Sequence, residues 1–153
     1  MIEKLFSKKI YYFAYGSNMN HKQMKKKCPN AKYVCRAFLE NHRIVFDGYS
    51  DKTGGAAANI VTSLKHKVWG CVYKMSLRDL DTLDGFEGLK TRQYRRKHVH
   101  VLTDDGKVIE ALAYYRKDKK KNQPASEYFN TIIEGARNCR LPDEYIEKLL
   151  TLE

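Results

Sequence analysis

Short apolar runs, separated by polar and turn-forming residues, recur along most of the chain. Runs rich in aromatic and β-branched residues predict five strands, at residues 9–15, 32–38, 42–46, 57–63 and 67–75. Two more strands, at residues 92–103 and 108–115, are separated by an Asp-Asp-Gly sequence that is typical of a hairpin turn. Residues 47–55 are rich in Asp and Gly and are expected to form a loop.

Helical signals begin directly after the first strand. A helix near residues 20–27 has Asn18 or Asn20 as its candidate N-cap. Ser76 and Asp79 have the spacing of a capping box, with Asp in place of the usual Glu, and predict the start of a second helix.

The second helix is expected to end near residues 84–85. Ser126 is the expected cap of a third helix with one apolar stripe, and Pro142 is expected at the first helical position of a fourth. Because the strands and helices are partly segregated, we predict the α+β class, with a mainly antiparallel, barrel-like sheet flanked by short helices. No repeat or boundary divides residues 1–153, so we expect a single domain.

Composition narrows the class of protein. The 153 residues are 42% hydrophobic and 12% aromatic, which is typical of a folded domain rather than a disordered chain. No apolar run reaches the roughly 18 residues of a membrane helix, and the start does not resemble a secretory signal. Cysteines 28, 35, 71 and 139 form no C-x-x-C pair, which favours reduced thiols over disulfides or a zinc site. We therefore expect a cytoplasmic protein.

The formal net charge of +11 lies in three clusters, at residues 22–27, 92–97 and 116–121. Such clusters can attract anions or nucleic acid, but a solvated surface explains them equally simply. Because no helix–turn–helix or RNA-binding pattern accompanies them, we do not expect nucleic acid as a partner.

Candidate chemistry begins at Tyr15, Gly16, Ser17 and Asn18, where the first strand turns into a helix. Gly16 allows a ligand to approach the backbone, and a helix start offers unpaired N–H donors. This turn is suited to a carboxylate, a phosphate or a developing oxyanion, although many strand–turn–helix connections carry similar residues without any function.

Glu87 is the second candidate. It lies between Gly85 and Gly88 in an otherwise apolar segment, and apolar neighbours raise the pKa of a carboxyl towards that of a general acid or base. An exposed loop glutamate is the alternative interpretation. Asp84 is a rival carboxylate, but its position is explained by the end of the helix.

Other catalytic patterns are missing from the sequence. It contains no Walker loop, no G-x-G-x-x-G, no G-x-S-x-G and no H-E-x-x-H. His98 and His100 share a strand face, but no third ligand stands at a recognisable spacing, so we predict no metal site. The cysteines have no evident histidine partner for nucleophilic chemistry.

The segment FAYGSNM at residues 13–19 resembles the FAYGSNL signature of the γ-glutamylcyclotransferases and their AIG2-like relatives. The resemblance extends over about residues 11–150, through residues 54–55, 68–70, 83–88, 94, 128, 135–136 and 141–145. It implies a barrel-centred fold with a cavity, and an enzyme without cofactor or metal. Such enzymes convert a γ-glutamyl amide into 5-oxoproline and a free amine, as in glutathione metabolism.

By this resemblance, Glu87 is the general base and acid. The backbone of residues 15–18 is expected to hold the glutamyl head group and to stabilise the oxyanion. Tyr94 and Tyr128 match positions that line the pocket or orient the substrate. Residues 56–59, Ala-Ala-Ala-Asn, depart from the family pattern at this wall of the expected pocket.

The expected partner is a small γ-glutamyl substrate, with no membrane involved and the protein a monomer or homodimer. Two alternatives to a γ-glutamylcyclotransferase stay open. A family relative could act on another γ-glutamyl amine or on a protected biosynthetic intermediate, and a basic binding module could retain the fold without activity.

Overall fold

The computed structural model describes residues 8–89, 94–117 and 120–152. Its strands are β1 (Lys9–Ala14), β2 (Lys32–Ser50), β3 (Gly55–Ser76), β4 (Arg95–Leu102) and β5 (Val108–Tyr115). Its helices are α1 (His21–Lys27), α2 (Leu77–Phe86), α3 (Ser126–Asn138) and α4 (Asp143–Leu150), and a 3₁₀ turn covers Ser17–Met19.

The five strands form a closed barrel in the order β1-β3-β2-β4-β5. All neighbouring strands are antiparallel except β1 and β5, which close the barrel through a parallel contact between Tyr12 and Leu112. The predicted α+β class, with a mainly antiparallel barrel flanked by short helices, is confirmed.

The prediction of four short strands between residues 32 and 75 is wrong, because this segment forms only the two long strands β2 and β3. Asn41 and Lys65 have positive φ values of 59° and 68°, and the β2–β3 register shifts between Glu40 and His42. A bulge therefore bends a continuous strand where the sequence pattern suggested its end. The predicted loop at residues 47–55 shrinks to a turn at residues 51–54.

The helix starts follow the sequence closely in two cases. Of the two candidate caps for α1, Asn20 is the one used, because its side chain accepts a hydrogen bond from the N–H of Gln23. The capping box of Ser76 and Asp79 is confirmed at the start of α2. That helix continues slightly further than expected, to Phe86.

Two predicted helix starts are shifted by one residue. Ala125, not Ser126, caps α3, because the Ala125 carbonyl accepts the first intrahelical hydrogen bond, from the N–H of Phe129. Pro142 caps α4 instead of occupying its first turn, because its carbonyl accepts hydrogen bonds from the N–H groups of Tyr145 and Ile146. Among the described helices, none is long and apolar enough to cross a lipid bilayer.

The apolar face of α3 covers the loop that follows β1. Its buried side chains are Phe129, Ile132, Ile133 and Ala136. A Cβ at Gly135 would overlap the backbone of Asn20 and Met19, so glycine is required for this close approach. The 3₁₀ turn is thus held between the barrel and α3.

The expectation of reduced cysteines is wrong for one pair, because Cys71 and Cys139 form a disulfide. They are 68 residues apart in sequence, and their meeting depends on α3 ending over β3. His21 Nε2 lies 3.4 Å from Cys139 Sγ, but this sulfur belongs to the disulfide and is not a free thiol, so the contact provides no nucleophile. Among the cysteines described, Cys28 and Cys35 are free.

The basic clusters are not purely a surface feature. Arg116 is only 8% exposed and forms a buried ion pair with Asp47. Lys27, in the first cluster, is partly buried, whereas Lys25 and Lys26 beside it are exposed. Residues 92–93 and 118–119, which belong to the other two clusters, lie outside the described residues.

Candidate active site

One pocket opens beside the 3₁₀ turn. Seven of its lining residues are the candidates named from the sequence: Tyr15, Gly16, Ser17, Asn18, Glu87, Tyr94 and Tyr128. The structure therefore brings together segments that are far apart in the chain. Tyr12, Ala58 and Tyr114 complete the lining.

The loop after β1 forms the first wall of the pocket. The N–H groups of Met19 and Asn20 donate to the carbonyls of Gly16 and Ser17 at 3.0 Å, which closes the 3₁₀ turn. No side chain caps the start of this turn. The first N–H groups of any helical turn have no partner within the turn, so those at the pocket are available to a ligand.

Gly16 also lies close to the opposite wall. A Cβ at this position would come within 3.3 Å of the Ala58 Cβ. Ala58 belongs to the Ala-rich segment that departs from the family pattern, and its small side chain lines the pocket directly. Small residues on both walls keep the space between them open.

Glu87 reaches the pocket from the end of α2. Its N–H donates to the carbonyl of Leu83 at 3.0 Å, and the N–H of Gly88 donates to the carbonyl of Gly85 at 3.3 Å, so the helical hydrogen bonds end at these two residues. The next residue, Gly88, has φ of 68°, a left-handed conformation that ends helices and favours glycine. The Glu-Gly sequence therefore stops the helix with the carboxylate directed at the pocket.

Asn18 holds the carboxylate of Glu87. Its side-chain Nδ2 donates to Glu87 Oε1 at 2.9 Å and to the Tyr12 hydroxyl at 3.0 Å. Its Oδ1 accepts from Gln23 Nε2 at 3.1 Å and from Lys27 Nζ at 2.9 Å. Within the described ranges, no hydrogen-bond donor or ion pair occupies the second carboxylate oxygen of Glu87.

Burial raises the pKa of Glu87 above the usual value for a glutamate. Smaller effects act on the same pKa: Lys27, the Asn18 hydrogen bond and Lys52 lower it, whereas the charge of Asp84 raises it. A carboxylate in this setting accepts and returns a proton more readily near neutral pH than an exposed one.

Tyrosines form the remaining wall around Ala58. Tyr94 donates from its hydroxyl to the Ala58 carbonyl at 2.6 Å, and the Tyr128 hydroxyl accepts from the Ala58 N–H at 2.9 Å. The Tyr15 hydroxyl donates to the carbonyl of Tyr114 at 2.7 Å. Burial raises the pKa of Tyr128 to about 12, so its hydroxyl stays protonated at neutral pH.

The rival carboxylate, Asp84, has other partners. Its Oδ1 accepts from the Tyr114 hydroxyl at 2.6 Å, and its Oδ2 lies 3.4 Å from Arg96 Nη1. Asp84 thus fixes a tyrosine of the wall and is not directed at the space that Glu87 faces.

Sequence reasoning missed three residues of the site. Tyr12 and Tyr114 lie on strands and face the pocket, and no motif distinguished them from ordinary core tyrosines. Lys27 was counted only as part of a charge cluster. It follows Gln23 by four residues, so both share a face of α1, and Gln23 also contacts Ser17.

A model of the AIG2-like family matches residues 67–149 of the chain. The human γ-glutamylcyclotransferase is 36% identical over 146 residues, which cover 93% of this chain and 78% of the human protein. The chain belongs to the γ-glutamylcyclotransferase family. The mouse member is 33% identical over the same lengths.

Solved structures agree with this family assignment. A structure of a γ-glutamyl cyclotransferase matches with a TM-score of 0.92 at 33% identity, covering 95% of this chain and 89% of that chain. YkqA from Bacillus subtilis matches with a TM-score of 0.82 at 27% identity, covering 99% of this chain and 56% of YkqA. The predicted family resemblance is confirmed.

Proposed function

We propose that the chain is a γ-glutamylcyclotransferase, which converts a γ-glutamyl amide into 5-oxoproline and a free amine with Glu87 as general base and acid. The observation that carries this proposal is the Glu87 carboxylate, which faces the pocket with one oxygen held by Asn18. Membership of the family supports the reaction type.

The reaction begins with the substrate's own α-ammonium group. Glu87 removes one proton from it, and the resulting amine attacks the γ-carbonyl carbon of the same molecule to form a five-membered ring. Glu87 gives this proton to the departing nitrogen as the bond from the γ-carbon to that nitrogen breaks. The ring nitrogen still carries one proton more than the lactam, and Glu87 passes this second proton to the released amine, which leaves as an ammonium ion while the carboxylate is regenerated.

Positioning supplies a large part of the rate in such a ring closure. The attacking nitrogen and the carbonyl carbon belong to one molecule, so the pocket has only to hold the chain in its folded conformation. Tyr94 and Tyr128 form hydrogen bonds with the backbone of Ala58 on one side of the pocket, and Gly16 lies on the other side. We propose that these walls shape the glutamyl chain.

The oxyanion that forms on the γ-carbonyl requires hydrogen-bond donors. We propose that the N–H groups of Gly16, Ser17 and Asn18 hold the glutamyl head group and stabilise this charge, because they start a turn that no side chain caps. Backbone donors are fixed before the substrate binds, so they need little reorganisation during the reaction.

On the family resemblance we place the enzyme in glutathione metabolism, acting in the cytoplasm without cofactor or metal. Fractionation of cells that express a tagged copy of the protein should recover it in the cytosolic fraction; recovery with membranes or organelles would contradict the location.

The proposed reaction is tested with a panel of γ-glutamyl amino acids, γ-glutamylamines and γ-glutamyl-ε-lysine. We expect 5-oxoproline and free amine in equal amounts from at least one class, and no product from α-glutamyl isomers. The class that reacts best separates a γ-glutamylcyclotransferase from a relative that acts on other γ-glutamyl amines. Failure with the whole panel would overturn the proposal and favour a binding module.

A further inference from the structure

Lys27 differs from the other lysines of α1 in where its side chain lies. Lys22, Lys25 and Lys26 are exposed, whereas Lys27 is partly buried against the pocket. Its Nζ donates to Asn18 Oδ1 at 2.9 Å and lies 5.2 Å from the centre of the Phe86 ring. The last turn of α1 thus places a cation behind the residue that contacts Glu87.

The orientation of the Asn18 amide depends on this cation. An amide can present either its oxygen or its nitrogen to a neighbour. Here Lys27 and Gln23, one turn apart on α1, both donate to Oδ1, and therefore Nδ2 must point to Glu87 and Tyr12. A flipped amide would place its oxygen against a carboxylate and its NH₂ against an ammonium group.

We propose that Lys27 is a positioning residue for the reaction: its hydrogen bond to Asn18 Oδ1 orients the Asn18 NH₂ group towards the Glu87 carboxylate. This inference rests on the proposed role of Glu87 and adds a residue that does not touch the reacting atoms. Its ammonium group acts both through the Asn18 amide and through its charge.

Other groups facing Glu87 show why Lys27 matters most. Lys52, from the β2–β3 turn, also lowers the pKa of Glu87, but its effect is smaller, and its Nζ donates to the Phe86 carbonyl at 3.2 Å. Asp84 on α2 raises that pKa. Among the residues that the structure describes, the other titratable groups facing the carboxylate are the tyrosines Tyr12, Tyr15, Tyr94, Tyr114 and Tyr128, whose raised pKa values keep them neutral.

The test is the pH dependence of 5-oxoproline formation by Lys27→Met, which keeps the length of the side chain but removes its charge and its donor. Without the cation, a larger fraction of Glu87 is protonated at low pH, so the acid limb of the kcat profile moves to higher pH. We expect kcat to fall about tenfold at pH 6 and less than about threefold at pH 9, with KM nearly unchanged.

Two variants control for charge and for structure. Lys26→Met removes an exposed lysine from the same helix turn, and its profile should coincide with that of the wild type. Lys27→Arg keeps a cation and a donor and should restore most of the activity at pH 6. A titration of the Glu87 side-chain carboxyl by ¹³C NMR gives a readout independent of turnover, and its midpoint should rise in Lys27→Met.

The outcomes separate this inference from the proposed function. An unshifted kcat profile and an unshifted NMR midpoint in Lys27→Met would overturn the role of Lys27, even if Glu87→Gln is inactive. A rise in KM without a shift would also overturn it, because it would show that Lys27 binds substrate. Full activity of Glu87→Gln would instead overturn the proposed function itself.

Discussion

Two polar clusters in the molecule each contain a cation and a carboxylate, but they are built differently. The closed cluster consists of Asp47, Asn59 and Arg116. Arg116 Nη2 lies 2.5 Å from Asp47 Oδ1, and Asn59 bonds to both the N–H and the carbonyl of Arg116 at 3.0 Å. Its charges are opposite and in direct contact.

The open cluster consists of Asn18, Lys27 and Glu87. Here the cation and the carboxylate do not touch, because the Asn18 amide stands between them. Burial raises the pKa of Glu87 despite the nearby cation. In the closed cluster, removal of one partner would leave an unpaired buried charge, whereas the open cluster holds a carboxylate whose charged form is disfavoured by burial and leaves one of its oxygens facing the pocket.

The largest expected effect comes from breaking the closed cluster with Asp47→Asn. Arg116 would keep its buried charge without the opposing carboxylate, and removing one partner of such a pair costs about 3–5 kcal/mol. Chemical denaturation measures the loss. The matched control is Asp104→Asn, which breaks the exposed pair with Arg36 and should cost less than about 1 kcal/mol; equal losses in the two variants would contradict this reading of the closed cluster.

The second-largest effect on stability is expected from the Cys71–Cys139 disulfide, because it lies against the 3₁₀ turn that contains Asn18 of the open cluster. Both sulfur atoms lie within 3.8 Å of the Met19 carbonyl, directly after Asn18. Cys139→Ala should lower the free energy of unfolding by about 2–4 kcal/mol. Cys35→Ala is the control, since Cys35 is free. A reducing agent should destabilise the wild type but not Cys139→Ala, and no response of the wild type would contradict this role of the disulfide.

A smaller effect is expected at the wall of the pocket that contains Ala58. Tyr128→Phe removes the acceptor of the Ala58 N–H and leaves that donor in a buried position. The resulting shift of the wall should reduce kcat/KM about tenfold, the equivalent of one hydrogen bond. Tyr49→Phe changes a tyrosine that is 66% exposed and should leave kcat/KM as it is. Equal values for the two variants would remove Tyr128 from the site.

The smallest effect is a gain in stability on Glu87→Gln. Because the folded state raises the pKa of Glu87, ionised Glu87 destabilises the fold at a pH above that raised value. The penalty disappears below the ordinary pKa of glutamate, where the side chain is protonated in both states. The variant should therefore melt a few degrees higher than the wild type at pH 8 and about equally at pH 4; a lower melting temperature at pH 8 would show that the charge stabilises the fold.

The sequence predicted those residues of the site whose positions depend only on their neighbours in the chain. The turn at residues 15–18 and Glu87 were found because small residues and Gly88 mark a strand–turn–helix and a helix end, which are local events. The family resemblance joined these segments into one site. Lys27 was not predicted as part of the site, because the sequence does not show in which direction the side chain of a lysine in a basic cluster points.

The closed cluster could not be predicted from the sequence. Asp47 was assigned to a loop and Arg116 to a surface cluster, and their pairing requires β2 and the end of β5 to approach in the closed barrel. The disulfide was not predicted either. Cys71 lies on β3 and Cys139 directly follows α3, so their contact depends on the tertiary fold and not on the spacing of the cysteines in the sequence. Both the ion pair and the disulfide depend on contacts between distant parts of the chain, and a single sequence contains no local signal for such contacts.

The central claim is that Glu87, and not its neighbour Asp84, moves the proton in ring closure. The direct measurement is the rate of 5-oxoproline formation by Glu87→Gln and Asp84→Asn, two isosteric changes one helical turn apart, in protein of confirmed fold. We predict a loss of about 10²–10⁴-fold for Glu87→Gln, the contribution of a general base, and less than about tenfold for Asp84→Asn. Near-normal turnover by Glu87→Gln, or equal losses in both variants, would contradict the account.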